Sequence, residues 1–135
     1  MKNAIFAASD AKFGDFLADH WLKSLIANVD LSNTDVIILD YGLSESQVKR
    51  LKKGGAKVAA FPKDGHVCCI RFRDMAKHLK KTKYGHVLAT DGGDIIFQSD
   101  LAELFKTAPK SFGAATEDFN LPFGDVYING FFSKE

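Results

Sequence analysis

The fold of this chain is decided by the segment Val87-Leu88-Ala89-Thr90-Asp91-Gly92-Gly93-Asp94-Ile95-Ile96-Phe97, in which two carboxylates separate two apolar runs. The first run has the length and composition of a buried strand. A carboxylate is costly to bury without a partner, so Asp91 and Asp94 are expected where this strand reaches the surface. The two glycines between them allow another group to approach the backbone closely.

The Asp-Gly-Gly-Asp sequence at residues 91–94 has two interpretations, which the segment alone leaves open. Two carboxylates on one short turn suit a hard divalent cation, which in turn binds phosphate oxygens. The same four residues also suit a plain hairpin turn.

Strand and helix patterns alternate in the residues that precede this segment. Continuous apolar runs predict strands at residues 4–8, 35–39, 57–61 and 86–90, as in parallel sheets covered on both faces. Apolar residues at three- and four-residue spacing predict a helix in each interval. The second helix is expected to begin with a capping box of Ser44 and Gln47 and to end at Gly54. The order predicts an α/β fold with a mainly parallel sheet flanked by helices.

The segment and the residues after it predict further elements and the side of the sheet where a ligand binds. A short strand at 95–97, a helix at 101–105 and strands at 112–116 and 126–132 are expected. Ligands bind outside the carboxyl ends of parallel strands, where the loops 9–14, 40–43, 62–65 and 91–94 are expected to meet. Asp91 and Asp94 therefore belong to the edge where a ligand is expected.

Composition and charge bound the function classes. The 135 residues are expected to form one domain, residues 1–135, with a net charge of +1 that does not indicate binding to nucleic acid. The sequence predicts neither an integral membrane segment nor a signal peptide. The two cysteines, Cys68 and Cys69, are predicted as small core residues on the apolar face of the third helix, beside Phe72. A reducing compartment, and so a cytoplasmic location, is expected.

Several motifs in order along the chain together resemble the family 8 glycosyltransferases and their relatives, which have the GT-A fold. The motifs are Ile5-Phe6-Ala7-Ala8-Ser9-Asp10, Leu39-Asp40-Tyr41-Gly42-Leu43-Ser44, the 91–97 segment with Leu101 and Glu103-Leu104, and Tyr127-Ile128-Asn129-Gly130-Phe131-Phe132. Arg73 precedes Asp91 by 91 − 73 = 18 residues, a spacing similar to that of a family arginine near the donor diphosphate. The resemblance implies a Rossmann-like GT-A donor-binding domain.

The resemblance also implies a ligand set. It implies a nucleotide-sugar donor, a UDP-sugar above all, and a divalent cation, manganese or else magnesium, on Asp91 and Asp94, which match the DxD motif. It places Arg73 near the diphosphate. The remaining substrate-binding positions that it implies are Ala7, Ala8, Ser9 and Asp10 for the nucleoside, Asn129 and Gly130 for the sugar, and Glu117 or Asp118 near the transferred sugar.

The chain departs from the family pattern in ways that leave alternatives open. Asp-x-x-Asp replaces Asp-x-Asp, and Ser9 stands where many members have an aspartate that reads uracil. The family continues into an acceptor-binding part, so the domain is expected to be incomplete at its C-terminus, and neither the sugar, lipid or protein acceptor nor a catalytic residue is identified. The alternatives are a non-catalytic nucleotide- or sugar-binding module and a flavodoxin-like scaffold in which 91–94 is only a turn.

Overall fold

The computed structural model describes residues 1–108 and 112–114, which form an α/β structure consistent with a Rossmann-like fold. Within these residues, one sheet contains four strands, all parallel, in the order β3-β2-β1-β4. The strands are β1 (Asn3–Ser9), β2 (Thr34–Asp40), β3 (Lys57–Ala60) and β4 (Val87–Ala89). The predicted parallel sheet is confirmed, with strand ends that differ by at most one residue.

Helices cover both faces of the sheet. The helices are α1 (Gly14–Phe16), α2 (Leu22–Asn28), α3 (Glu45–Lys53), α4 (Val67–Leu79) and α5 (Ala102–Thr107). A π-helical turn, Leu17–Trp21, joins α1 to α2. None of the helices in the described part of the chain is long and apolar enough to cross a bilayer.

The core has one layer on each face of the sheet. On one face, Trp21, Leu25 and Leu51 pack against side chains of β1 and β2. On the other face, Phe6 and Ile70 belong to a second buried cluster with side chains of β2. Alternating residues of the central strands therefore enter opposite layers, which explains their continuous apolar runs.

Local signals predict α3 correctly. Ser44 accepts a hydrogen bond from the backbone N–H of Gln47, and the side chain of Gln47 accepts one from the N–H of Ser44, so the capping box is formed. The helix ends with Gly54 as its C-cap. These features depend on neighbouring residues only, which is why the sequence predicts them.

The expected strand at 95–97 is wrong, because these residues adopt irregular structure. Phe97 is nevertheless buried, and its ring meets that of Trp21 edge to face with centroids 5.3 Å apart. Its N–H donates to Ser24 Oγ over 3.1 Å, and its carbonyl accepts from Asn28 Nδ2 over 2.9 Å. Side chains of α2 thus satisfy the backbone groups that a neighbouring strand would otherwise bond.

The prediction that Cys68 and Cys69 lie in the core is also wrong, since both are exposed. Phe72, expected beside them, is 52% exposed. Helix α4 instead turns Ile70 and Asp74 toward the sheet. A fully buried aspartate on this face is possible because other side chains neutralise it and bond to it, and apolar periodicity alone does not detect this.

Of the two strands predicted near the C-terminus, the described residues include only the start of the first. Residues 112–114 are irregular, and Phe112 is 87% exposed, so the start of the predicted strand 112–116 is not extended sheet. The predicted strand 126–132 lies outside the described residues.

Candidate functional site

A pocket of about 110 Å³ opens at the carboxyl ends of β1 and β4, on the face of the sheet that α4 covers. The residues around it that bear on function are Ala7, Ala8, Arg71, Phe72, Thr90 and Asp91. The pairing of Phe6 with Ala89 brings the ends of the two strands side by side. Three residues that the sequence proposes for ligand binding, Ala7, Ala8 and Asp91, therefore share one pocket at the expected edge.

The acid loop, residues 91–94, packs tightly against the end of β1. Gly92 is buried, and a Cβ at this position would lie 2.9 Å from Leu17 Cδ1 and 3.3 Å from the carbonyl oxygen of Ala8. At Gly93, a Cβ would lie 3.2 Å from the ring of the half-exposed Phe13. A side chain at Gly92 would force Leu17 or the backbone of Ala8 to shift, so the glycine there serves a close approach of backbone to core.

The π-helical turn supports the acid loop from the other face of the sheet. Trp21, which is fully buried, donates a hydrogen bond from its indole Nε1 to Thr90 Oγ1 over 3.1 Å. Leu17, at the start of the same turn, meets Gly92. Such turns occur often at functional sites.

Arg71 contacts the acid loop from α4. Its Nη1 forms an ion pair with Asp91, and its guanidinium lies 4.9 Å from the centroid of the Phe72 ring. Its Nε is buried and has no hydrogen-bond partner within the described part of the chain. A buried guanidinium N–H without an acceptor is costly, so the described residues leave one donor of Arg71 unsatisfied.

The protein groups that could hold a cation here are the two carboxylates of the loop. Asp91 and Asp94 are both exposed. Among residues 1–108 and 112–114, no group of three or more His, Cys, Asp or Glu side chains is arranged to hold a metal ion. A cation bound to Asp91 and Asp94 would therefore need further ligands from a phosphate and water. Magnesium accepts such a ligand set more readily than a site made of protein side chains alone.

Arg73 points to a different cluster from Arg71. Its guanidinium donates to Asp64 over 2.8 and 2.9 Å and to Asp74 over 2.8 and 2.9 Å. Asp74 also accepts from Tyr41 Oη over 2.9 Å and from Lys77 Nζ over 2.8 Å. The bonds from Arg73, with those from Lys77 and Tyr41, hold the pKa of Asp74 well below its usual range despite burial. The structure thus brings Arg71, and not Arg73, to Asp91.

Sequence reasoning overlooked Arg71, although a signal for it was present. Arg71 and Met75 lie four positions apart on α4, and both line the pocket. Residues at this spacing share one face of a helix. The face could not be chosen from the sequence, because the cysteines suggested a different buried side.

Ser9 and Asp10, the other proposed nucleoside residues, are engaged within the protein. Ser9 is buried and donates from Oγ to the carbonyl oxygen of Asp10 over 2.9 Å. Asp10 accepts from Lys63 Nζ over 2.7 Å and from the N–H of Lys12 over 3.0 Å. The bond from Lys63 lowers the pKa of Asp10. Both residues follow Ala8 at the same edge of the sheet, but neither lines the pocket.

The four remaining proposed substrate-binding residues, Glu117, Asp118, Asn129 and Gly130, lie outside the described residues. A larger depression of about 480 Å³ lies at the opposite edge, beside Asn3, Thr34, His86 and Phe105. That edge contains the amino ends of the strands, where open parallel sheets do not usually bind ligands. The smaller pocket is therefore the better candidate despite its size.

No protein-family model matches this chain, and no curated protein is significantly similar to it.

Proposed function

We propose that this chain is the donor-binding part of a GT-A glycosyltransferase, hexosyltransferase-like, which binds a nucleotide-sugar and transfers the sugar to a sugar, lipid or protein acceptor. The observation that supports this most is the pocket that Ala7, Ala8 and Asp91 share with Arg71. Apolar residues, an arginine and a carboxylate at the carboxyl edge of a parallel sheet suit a nucleoside diphosphate and its cation.

In this proposal each group has a separate role. Asp91 and Asp94 would hold a manganese or magnesium ion, which when bound stabilises the charge on the leaving diphosphate. Ala7 and Ala8 would contact the nucleoside. Arg71 suits the diphosphate better than Arg73 does, because the four hydrogen bonds of Arg73 go to Asp64 and Asp74. A UDP-sugar remains the preferred donor, and the sugar-side roles of Asn129, Gly130, Glu117 and Asp118 remain predictions.

The test is calorimetric titration of the chain with UDP and with GDP, each with and without Mn²⁺. We expect metal-dependent binding that Asp94→Ala abolishes and that Asp91→Ala weakens less. Glu103→Gln is the matched control, because Glu103 is an exposed carboxylate on α5 that forms a local ion pair with Lys106. Equal and negligible effects of both aspartate variants, or absence of binding by either nucleotide, would reject the proposal.

A second candidate function is a non-catalytic nucleotide-binding module that works without a cation. The ion pair between Asp91 and Arg71 favours it, because this carboxylate already has a cationic partner in the free protein. Nucleotide binding that is unchanged by removal of Mn²⁺ would support the module. Sugar transfer or donor hydrolysis by this chain would exclude it.

We also propose a reducing, cytoplasmic setting for the protein. Cys68 and Cys69 are both free thiols on the surface of α4, and exposed thiols persist where the compartment keeps them reduced. Thiol labelling of the protein in intact cells, before and after reduction, would test this.

A further inference from the structure

We propose that Arg71 and Asp91 form an ionic latch that makes the pocket bind a divalent cation and a nucleoside diphosphate together and either one alone only weakly. The inference rests on the proposed function and extends it. It states that the preferred ligand is the complex of the cation with the diphosphate.

The latch joins two elements of the fold across the mouth of the pocket. Arg71 lies in α4, and Asp91 lies two residues after the end of β4. Their side chains are 23% and 52% exposed, so the pair is accessible to a ligand and is partly shielded from solvent. Either side chain can change partner without unfolding an element, since neither belongs to the buried core.

The charges of Arg71 and Asp91 in the free protein explain why either ligand alone would bind weakly. In the ion pair, the charges of Arg71 and Asp91 neutralise each other. A cation that binds Asp91 alone must displace the guanidinium and then lies beside an uncompensated positive charge. A diphosphate that binds Arg71 alone must displace the carboxylate and then lies beside an uncompensated negative charge. Each ligand alone therefore breaks one attraction and adds one repulsion.

The complex of cation and diphosphate removes both penalties. Its metal ion replaces Arg71 as the partner of Asp91, and its phosphate oxygens replace Asp91 as the partner of Arg71. The two components thereby raise each other's affinity by the same factor, as linkage requires.

Two other cations among the described residues are already paired. Arg73 is engaged by Asp64 and Asp74, and Lys63 is engaged by Asp10. Asp94, the second carboxylate of the loop, would add to the attraction for the cation in every variant that retains it. Coupling that depends on Arg71 is therefore distinguishable from a general effect of the acid loop.

The latch predicts gains of affinity in two variants. Titrations use Mn²⁺ alone, UDP alone and both together. Arg71→Met keeps the apolar stem and frees Asp91, so we expect it to bind Mn²⁺ alone about fivefold more tightly than the wild type. Asp91→Asn frees Arg71, so we expect it to bind UDP without metal about fivefold more tightly. Both variants should lose the mutual enhancement, and Arg71→Lys, which retains the charge, should keep most of it.

The outcomes separate the latch from the proposed function. If the wild type binds UDP with Mn²⁺ but Arg71→Met gains no affinity for Mn²⁺, the latch is rejected and the donor site stands. If the wild type binds no nucleotide in any condition, both are rejected. Circular dichroism of each variant confirms that it is folded before titration. Should Arg71→Met not fold, Asp91→Asn provides the second test, and an unchanged affinity of that variant for UDP without metal would reject the latch.

Discussion

The indole Nε1 of Trp21 donates a hydrogen bond to Thr90 Oγ1 over 3.1 Å and so joins the π-helical turn to the residue before Asp91. The two residues are 69 positions apart in the sequence. Arg71 reaches the acid loop from the opposite face of the sheet. The loop is thus supported from both layers of the structure, which is how a short exposed turn can present its carboxylates in a defined position.

The first prediction concerns this hydrogen bond. Thr90→Val removes the acceptor and retains the shape, so the buried N–H of Trp21 is left unsatisfied. We expect the free energy of unfolding to fall by about 1–3 kcal/mol. Urea denaturation followed by the fluorescence of Trp21, the chain's single tryptophan, measures the change. Thr90→Ser keeps the hydroxyl and is the control; equal losses in the two variants would show that the hydrogen bond contributes little.

The second prediction compares the two glycines of the acid loop. Gly92→Ala would place a methyl group 2.9 Å from the buried Leu17 and 3.3 Å from backbone of Ala8, which cannot easily move. Overpacking of this kind costs about 1–3 kcal/mol of stability. Gly93→Ala meets only the half-exposed Phe13 and should cost clearly less. Thermal unfolding of both variants gives the comparison, and a larger loss for Gly93→Ala would contradict the described packing.

The third prediction concerns Asp74, which is fully buried. Asp74→Ala deprives the hydroxyl of Tyr41 of its acceptor, while Arg73 and Lys77 remain accessible to water. We expect a loss of about 1–3 kcal/mol in the free energy of unfolding. Asp74→Asn retains an acceptor for Tyr41 and should lose less when both are measured by urea denaturation at neutral pH. The same loss in both variants would assign the effect to the charge and not to the bond with Tyr41.

The fourth prediction is a pH dependence of stability that arises from His78. Desolvation, aided by Lys57 and Lys81, lowers the pKa of His78 below its ordinary value, and its ring meets that of Phe6 at 5.5 Å. The unfolded chain therefore binds a proton more readily, and stability falls as the pH decreases through the unfolded-state pKa of about 6.5. His78→Gln should flatten the unfolding free energy between pH 7.5 and about 5. An unchanged slope in this variant would assign the dependence to other groups.

The strand and helix order follows from the sequence because each signal is local. The apolar runs of β1 and β2 and the capping box of Ser44 and Gln47 depend on adjacent residues, and the structure has them as predicted. The carboxyl-edge position of Asp91 follows in turn, since a residue directly after a parallel strand must lie there. The candidate site could be predicted to this extent and no further.

The sequence by itself determined the alternation of elements, the parallel sheet and the edge at which Asp91 lies. The tertiary structure decided which face of α4 turns inward, and thereby that Arg71 meets Asp91 while Arg73 meets Asp64 and Asp74. It also decided that Cys68 is exposed. The reason is that a helix with charged and apolar residues on several sides is oriented by the partners that distant strands and loops offer, and these partners are not encoded in the periodicity of the helix itself.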